Sequence, residues 1–153
     1  ITRVGSQSYQ EVADNYTINV ISPSFLCNQF VEAYQNEEVQ KMIINVSSGA
    51  GKQPIEAWNT YCASKAALDM FSQVLKVEHP DFKVFAVSPG IVDTPMQDAI
   101  RSADQQHFPH LDRFQSYKSE GELSSAREVA LKYLKIIQEP QDFREVLISV
   151  RDF

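Results

Sequence analysis

The amino-acid sequence predicts an α/β domain in which a parallel sheet carries helices on both faces. Two observations lead to this fold class. Helical and strand-like segments alternate along the chain, and the strand-like segments are short continuous apolar runs. Such runs are typical of strands buried on both faces, which occur in parallel sheets. The chain has 153 residues and no internal repeat, so it has room for one domain with a normal core.

The first predicted element covers residues 9–34, "YQEVADNYTINVISPSFLCNQFVEAY". Its apolar residues recur at roughly helical spacing, and we expect a kink or tight turn where Pro23 interrupts it. Residues 42–48, "MIINVSS", form a β-branched apolar run that predicts a strand buried on both faces. Two glycines and a proline then predict a loop.

The longest helix is predicted from Asn59 to about Glu78, where a His-Pro pair ends it. Residues 83–88, "KVFAVS", form a second apolar run and predict a second buried strand. A Pro-Gly pair follows this strand and opens an irregular stretch. Within that stretch, the pattern predicts short helices near 95–103 and 110–118.

The last helix and strand have clear boundary signals. Ser125 and Glu128 have the spacing of a capping box, which predicts a helix that runs to about Gln138. The run "EVLISV", residues 145–150, predicts a third strand. Together the elements predict a parallel sheet with a ligand site at the carboxyl ends of its strands.

Composition and charge exclude several classes of function. The formal charge is −6 and the isoelectric point is near 5.0, which argues against a nucleic-acid surface or a polybasic membrane anchor. No apolar run approaches the length of a membrane span. Cys27 and Cys62 are expected to be reduced thiols in a cytoplasmic protein. His79, His107 and His110 lack the spacing of metal ligands, so no metal site is predicted.

Side chains with useful chemistry cluster at the predicted strand ends. Ser48 ends the first strand, and Tyr61 follows it by thirteen residues in the first turn of the long helix. Lys65 lies one helical turn after Tyr61, on the same face. A nearby ammonium favours the phenolate and should lower the pKa of the tyrosine, so that it can act as an acid or base near neutral pH.

The Tyr-x-x-x-Lys spacing alone is weak, because a surface tyrosine and a solvated lysine would give the same pattern. The combination with a strand ending in Ser-Ser and a strand ending in Pro-Gly is more specific. The segments "IINVSSGAG", "YCASKAA" and "SPGIVDTPM" resemble the short-chain dehydrogenase/reductase family, and "TINVISP" resembles its asparagine-containing helix. Within that family, "WNTYCASKAALDMFSQVL" and "SPGIVDTPMQ" are similar to the sepiapterin reductase group and its bacterial benzil (diketone) reductase relatives.

The resemblance implies a Rossmann-like, doubly wound fold and a set of catalytic roles. Tyr61 would donate a proton to a substrate carbonyl as hydride arrives from a nicotinamide. Lys65 would lower the pKa of Tyr61 and hold the ribose hydroxyls of the cofactor. Ser48 would hydrogen-bond the carbonyl. Asn19 would anchor a water that links Lys65 to solvent.

The resemblance also implies residues that line the cofactor and the substrate. The expected cofactor is NADP, with NAD as the alternative, and the expected substrate is a small ketone, diketone or pterin side-chain carbonyl. The cofactor would be contacted by Tyr61 and Lys65 and lined by Pro89, Gly90, Ile91, Val92 and Thr94. The substrate would be walled by Trp58 and Met96.

Several of these residues have a simpler structural interpretation. Asn19 can be a helix residue that is satisfied by backbone groups. Trp58 and Met96 can be packing residues at the core or rim. Ser47 is expected to be structural, and Cys62 is expected to be a small buried apolar residue.

The sequence departs from the family pattern at its start. The family's glycine-rich phosphate-binding turn cannot be built from the five glycines present. We therefore expect residues 1–153 to be a single incomplete dinucleotide-binding domain that lacks its N-terminal glycine-rich half. That half would add roughly 90 residues in βαβ units. We also expect that the 153-residue chain alone does not bind the cofactor productively.

A second departure concerns the substrate. Sepiapterin reductases carry an aspartate near the C-terminus that anchors the pterin, and the alignment places Ser149 there, with Asp152 nearby. This favours a diketone or another small carbonyl substrate. The resemblance implies a homodimer as well, and the alternative to an active reductase is a catalytically inactive fragment that serves as a binding or dimerisation module.

Overall fold

The computed structural model describes residues 1–102 and 108–153, and its sheet has three parallel strands. These strands are β1 (Met42–Val46), β2 (Lys83–Ser88) and β3 (Leu147–Ser149). The strand order is β1-β2-β3, so β2 lies at the centre. Ile44 pairs with Phe85 and Val87 pairs with Ile148. The predicted parallel α/β sheet is confirmed.

Six α-helices surround this sheet in the described part of the chain. They are α1 (Tyr9–Tyr16), α2 (Ser22–Tyr34), α3 (Asn59–Glu78), α4 (Pro95–Arg101), α5 (Leu111–Ser119) and α6 (Ala126–Gln138). The capping box at the start of α6 is present as predicted, with Ser125 and Glu128 as its members. Residue 103, the predicted end of the helix now called α4, lies outside the described residues, and so does His107.

A π-helical turn, Thr17–Ile21, joins α1 to α2 and replaces the kink predicted at Pro23. In a regular α-helix, the N–H of residue 23 would donate to the C=O of Asn19, but proline has no N–H. The wider turn is the helical response to that missing donor, and such turns are frequent at functional sites. The segment therefore continues as one irregular helix through the proline.

Two predictions about the strands need correction. β1 is not buried on both faces, because Val46 is 54% exposed and belongs to neither core cluster next to the sheet. Only Ile43 and Asn45, which face α2 and α3, are buried in this strand. β3 begins two residues later than predicted, although the C=O of Val146 already accepts a 2.7 Å hydrogen bond from Ala86. β2 is buried on both faces, as a central strand should be.

The core consists of three apolar clusters, one on each face of the sheet and one under α4 and α5. The first contains Cys27, Val31, Ile43, Leu75, Phe82 and Val84. The second contains Phe85, Val87, Ile136, Ile148 and Val150. The third contains Ala57, Ile100, Phe108, Leu111 and Phe114, with Trp58 packed against it. The third cluster supports the region where the predicted site residues lie.

Candidate active site

The predicted site segments meet at the carboxyl edge of the sheet, around a cavity of about 440 Å³. Ser48 reaches it from the end of β1, Gly90 from the end of β2 and Tyr61 from the first turn of α3. Parallel strands bring their carboxyl ends to one edge, which explains why residues distant in sequence converge there. Nine of the predicted site residues line this cavity: Ser48, Trp58, Tyr61, Pro89, Gly90, Ile91, Val92, Thr94 and Met96.

The phenol of Tyr61 is more weakly acidic than the sequence predicted. Burial raises the pKa of Tyr61, and a hydrogen bond with Ser48 opposes this by favouring the phenolate. The pKa of Tyr61 is thus raised and not lowered in this chain. The proton stays on the oxygen at neutral pH, which is the state that a proton donor needs.

The position of Lys65 explains why the pKa of Tyr61 is not lowered as expected. Its Nζ donates a 2.9 Å hydrogen bond to the C=O of Val46, and it lies 5.7 Å from the centroid of the Tyr61 ring. The ammonium is therefore directed at the end of β1 and does not pair with the phenol oxygen. Burial lowers the pKa of Lys65, and the carboxylate of Asp69 opposes this shift.

Asp69 is a functional-site neighbour that the sequence motifs did not single out. It lies one turn after Lys65 on the same face of α3, is only 5% exposed, and accepts a short hydrogen bond from the Ser47 hydroxyl. Burial raises its pKa, whereas Ser47, Lys52 and Lys65 lower it. Ser47 thus has the structural role that was predicted for it. The i, i+4 spacing to Lys65 was the one available signal for Asp69.

Ser48 begins a short 3₁₀ turn, Gly49–Gly51, with extended backbone angles. Its Oγ accepts a 3.2 Å hydrogen bond from the N–H of Ala50. A serine hydroxyl accepts and donates at the same time, so accepting from Ala50 leaves its proton for the Tyr61 oxygen or for a group in the cavity. The turn therefore holds the side chain in place without using up its donor.

Asn19 lies in the π turn and does not line the cavity. Its side-chain amide donates to the backbone C=O of Asn15 at 3.1 Å and to the Asn15 side-chain oxygen at 3.3 Å. This matches the simpler interpretation, in which the side chain is satisfied within its own helix. The π turn packs against α3, so Asn19 belongs to the layer directly behind the site.

The loop after β2 is held by a short backbone ladder. The N–H of Asp93 donates to the C=O of Ser124 at 2.9 Å, and the N–H of Ser124 donates to the C=O of Ile91 at 3.0 Å. Gly90 has a φ of +74°, and a Cβ there would lie 3.2 Å from Nε of Arg151. Glycine is required at this turn for its backbone angles, and it brings the loop close to Arg151.

Trp58 both packs and lines the cavity, so its two interpretations are compatible. Its ring is stacked on Phe108 at 5.9 Å between centroids and meets Tyr61 edge-on at 5.5 Å. Ala57 precedes it with a φ of 65°, a left-handed backbone that residues other than glycine rarely adopt. This turn places the tryptophan against the first turn of α3. Met96 is half exposed at the rim.

Among the other residues that line the cavity, four have ionisable side chains that sequence reasoning did not identify as site residues: His110, Arg113, Tyr117 and Arg151. They come from α5 and its approach, and from the segment after β3. No local motif marks them, because only the fold brings these segments to the cavity. Among the described residues, no three His, Cys, Asp or Glu side chains are grouped so that they could hold a metal ion.

Comparisons with known proteins show which family the chain is similar to. Residues 2–105 match the family model described as short chain dehydrogenase. The chain is 34% identical to the benzil reductase ((S)-benzoin forming) of Bacillus subtilis (strain 168), covering 90% of this chain and 58% of that protein. It is 38% identical to the sepiapterin reductase of Rattus norvegicus, covering 84% and 49% respectively. The chain spans about half the length of these curated relatives.

Solved structures show the same fold. The crystal structure of the KRED1-Pglu enzyme is 29% identical with a TM-score of 0.81, over 89% of this chain and 57% of that one. The short chain dehydrogenase/reductase YIR035C of Saccharomyces cerevisiae is 26% identical with a TM-score of 0.82, over 98% and 60%. From the family match and the Rossmann-like fold, the chain belongs to the short-chain dehydrogenase/reductase family.

Proposed function

We propose that this chain carries the substrate site and the proton donor of an NAD(P)H-dependent carbonyl reductase. One observation carries the proposal: Ser48 and Tyr61 line the same cavity as the loop from Pro89 to Thr94. A carbonyl oxygen placed between two hydroxyl groups can be polarised by one and protonated by the other.

The proposed reaction adds two electrons and two hydrogens to a carbonyl group. A reduced nicotinamide, NADPH in the first place and NADH as the alternative, would supply the hydride to the carbonyl carbon. Tyr61 gives its phenolic proton to the carbonyl oxygen, and the product is an alcohol. Ser48 donates a hydrogen bond to that oxygen as negative charge develops on it.

Lys65 and Asn19 would then support the phenolate that remains. The ammonium of Lys65 is close enough to the ring of Tyr61 to stabilise negative charge on it, and it would also hold the ribose hydroxyls of the cofactor. Asn19, behind α3, would anchor a water through which Lys65 exchanges protons with solvent. The role of Asn19 and the ribose contact of Lys65 follow from the family resemblance alone.

The described residues fit the nicotinamide end of a dinucleotide. Backbone from Pro89 to Val92 and the side chain of Thr94 line a cavity of about 440 Å³, within the usual range of ligand sites. That volume suits a nicotinamide ring and a small substrate, not a whole dinucleotide. The phosphates need a glycine-rich turn, which the glycines of this sequence do not form. In our proposal, residues 1–153 are one part of the domain that performs the reaction.

A diketone is favoured over a pterin as the substrate. Ser149 lines the cavity, whereas Asp152 does not. The cavity therefore has no carboxylate at the position from which a pterin would be anchored. The similarity to two benzil reductases points in the same direction.

The proposal includes a homodimer and a cytoplasmic location. α3 has an outer face of exposed small and apolar residues, which suits close packing against a second copy. Cys27 and Cys62 are both free thiols, as is usual in a reducing compartment. None of the described helices is long and apolar enough to cross a membrane.

The function is tested by measuring NADPH oxidation in the full-length protein. The readout is the loss of the reduced cofactor's absorbance. We expect turnover with benzil and slower turnover with sepiapterin. The alternative, a catalytically inactive binding or dimerisation module, predicts a folded dimer without NADPH oxidation on any carbonyl compound. That result would overturn the reductase proposal.

A further inference from the structure

The charged side chains that line the cavity are basic, whereas the protein as a whole is acidic. The chain has a formal charge of −6, yet the only ionisable side chains other than Tyr61 and Tyr117 among the described lining residues are His110, Arg113 and Arg151. No described aspartate or glutamate lines the cavity. An acidic protein that surrounds a cavity with basic groups alone creates a local preference for anions.

His110 and Arg113 both line the cavity from the start of α5. His110 and Arg113 are three residues apart at the start of the helix, so they lie on the same side of it. The guanidinium of Arg113 lies over the ring of Tyr117, 5.6 Å from its centroid. This cation–π contact orients the guanidinium, which otherwise pairs with no carboxylate among the described residues.

Arg151 belongs to a different part of the cavity. It approaches Gly90 in the loop that the proposed function assigns to the nicotinamide. An anion at Arg151 is therefore expected to come from the cofactor. Arg113 sits with the aromatic residues instead, because its helix neighbour Phe114 packs on Trp58 with ring centroids 5.4 Å apart.

We propose that the substrate is a carbonyl compound that carries both an aromatic ring and a carboxylate, with the carboxylate bound by Arg113. The ring packs on Trp58 and Phe114, and the planar guanidinium accepts the carboxylate through two parallel hydrogen bonds. This inference rests on the proposed reductase function, since it names the substrate of the same site. It narrows the small-carbonyl class of that proposal, because a neutral diketone offers the guanidinium of Arg113 no carboxylate to bind.

A matched pair of substrates tests the proposal in the full-length protein. Benzoylformate and its methyl ester share the ring and the ketone and differ in charge. We expect kcat/KM to be about fivefold to tenfold higher for the anion, a modest ratio because Arg113 is exposed to solvent. Arg113→Gln should remove this preference by lowering kcat/KM for the anion toward that of the ester. Arg127→Gln, a substitution of an exposed arginine on α6 outside the cavity, should have no effect.

The same assay distinguishes whether Arg113 binds a carboxylate of the substrate or a phosphate of the cofactor. If Arg113→Gln raises the KM for NADPH and affects both substrates equally, the cation serves a cofactor phosphate and the substrate proposal is wrong. A wild-type protein that reduces the ester as well as the anion would overturn it too. Arg113→Lys should keep part of the preference, because it retains the charge without the planar fork.

A binding measurement separates this inference from the proposed reaction. Trp58 is the single tryptophan of the sequence and lines the cavity, so its fluorescence reports occupancy without turnover. Mandelate should quench this fluorescence at lower concentrations than mandelamide, because it binds more tightly. Arg113→Gln should abolish the difference in affinity. If this holds while no carbonyl compound is reduced, the anion site stands and the reductase function falls. Equal binding of the two probes would overturn the anion site.

Discussion

Burial shifts the pKa of three side chains that follow one another along α3. Tyr61, Lys65 and Asp69 are spaced by four residues and share one face of the helix. Burial raises the pKa of Tyr61 and Asp69 and lowers that of Lys65, so it favours the neutral form of each group. Hydrogen bonds from Ser48 and Ser47 act in the opposite direction. The two serines that follow β1 thus lower the pKa of Tyr61 and Asp69, against the effect of burial.

Asp69→Asn should change how stability depends on pH. Between the usual pKa of aspartate, 3.8, and the raised pKa of Asp69, the folded state keeps a proton that the unfolded state has released. Raising the pH through this window therefore weakens the wild type, and the asparagine variant lacks that loss. We expect the unfolding free energy of the variant to rise relative to wild type as pH increases, measured by denaturant titration.

Asp81→Asn is the matched control for that experiment. The pKa of Asp81 is lowered by its hydrogen bond with Lys41, so its contribution has the opposite sign and increases as pH rises. The two variants should diverge from wild type in opposite directions. An Asp69→Asn difference that stays constant across the acid range would show that this carboxyl has no raised pKa.

At the residue scale, the sequence predicts the site residues that belong to a recognisable motif. The position of Ser48 and Tyr61 at one cavity follows from their places at a strand end and a helix start. The direction of the Lys65 ammonium does not, because it depends on the C=O of Val46 in another element. Arg113 could not be predicted either, since no spacing links it to the catalytic motif.

At the scale of elements, the close approach of the Gly49–Gly51 turn to α3 fixes the site. A Cβ on Gly51 would lie 3.0 Å from the backbone N of Ala66, the backbone C of Lys65 and Oδ2 of Asp69. Two of these three atoms are backbone and cannot move aside easily. The turn that presents Ser48 therefore requires glycine, a residue without a side chain, at position 51.

Gly51→Ala should destabilise the protein by about 1–3 kcal/mol, as overpacking of a tight contact does. Gly49→Ala in the same turn is the control, because a Cβ there meets no atom within 4 Å and is expected to be nearly neutral. Thermal unfolding of both variants measures the difference. Equal melting temperatures would mean that the turn and α3 leave room for a Cβ at position 51.

The elements differ in how far local sequence determines them. The start of α6 is predictable because Ser125 and Glu128 satisfy each other within one turn. The π turn before Pro23 is not, since the proline predicts an irregularity without specifying which carbonyls lose or change their partners. The exposure of Val46 depends on what lies beside β1, and periodicity carries no such information.

At the scale of the whole molecule, one outer face is apolar enough to suggest a partner. Met70, Val74 and Val77 lie along α3 and are 60%, 45% and 80% exposed. Their helical spacing continues the exposed alanines at 63 and 66, so small and apolar residues form one stripe. This stripe is where the proposed homodimer would form.

Replacing Met70 and Val74 together by glutamate should convert the dimer to a monomer, because two charges per copy would be buried without partners. Light scattering coupled to size exclusion measures the change. Glutamate at Leu131 and Leu134, which are similarly exposed on α6, provides the control and should leave the dimer intact. A wild-type protein that is monomeric at micromolar concentration would contradict the proposed interface.

The proposed reaction depends most on Tyr61 as proton donor, and removal of its hydroxyl group is the most direct test. In the full-length protein, Tyr61→Phe should lower kcat for carbonyl reduction by at least about 100-fold and leave the affinity for NADPH unchanged. Tyr9→Phe, a change at an exposed phenol on α1, should keep wild-type turnover. A Tyr61→Phe protein that retains most of its activity would contradict the account.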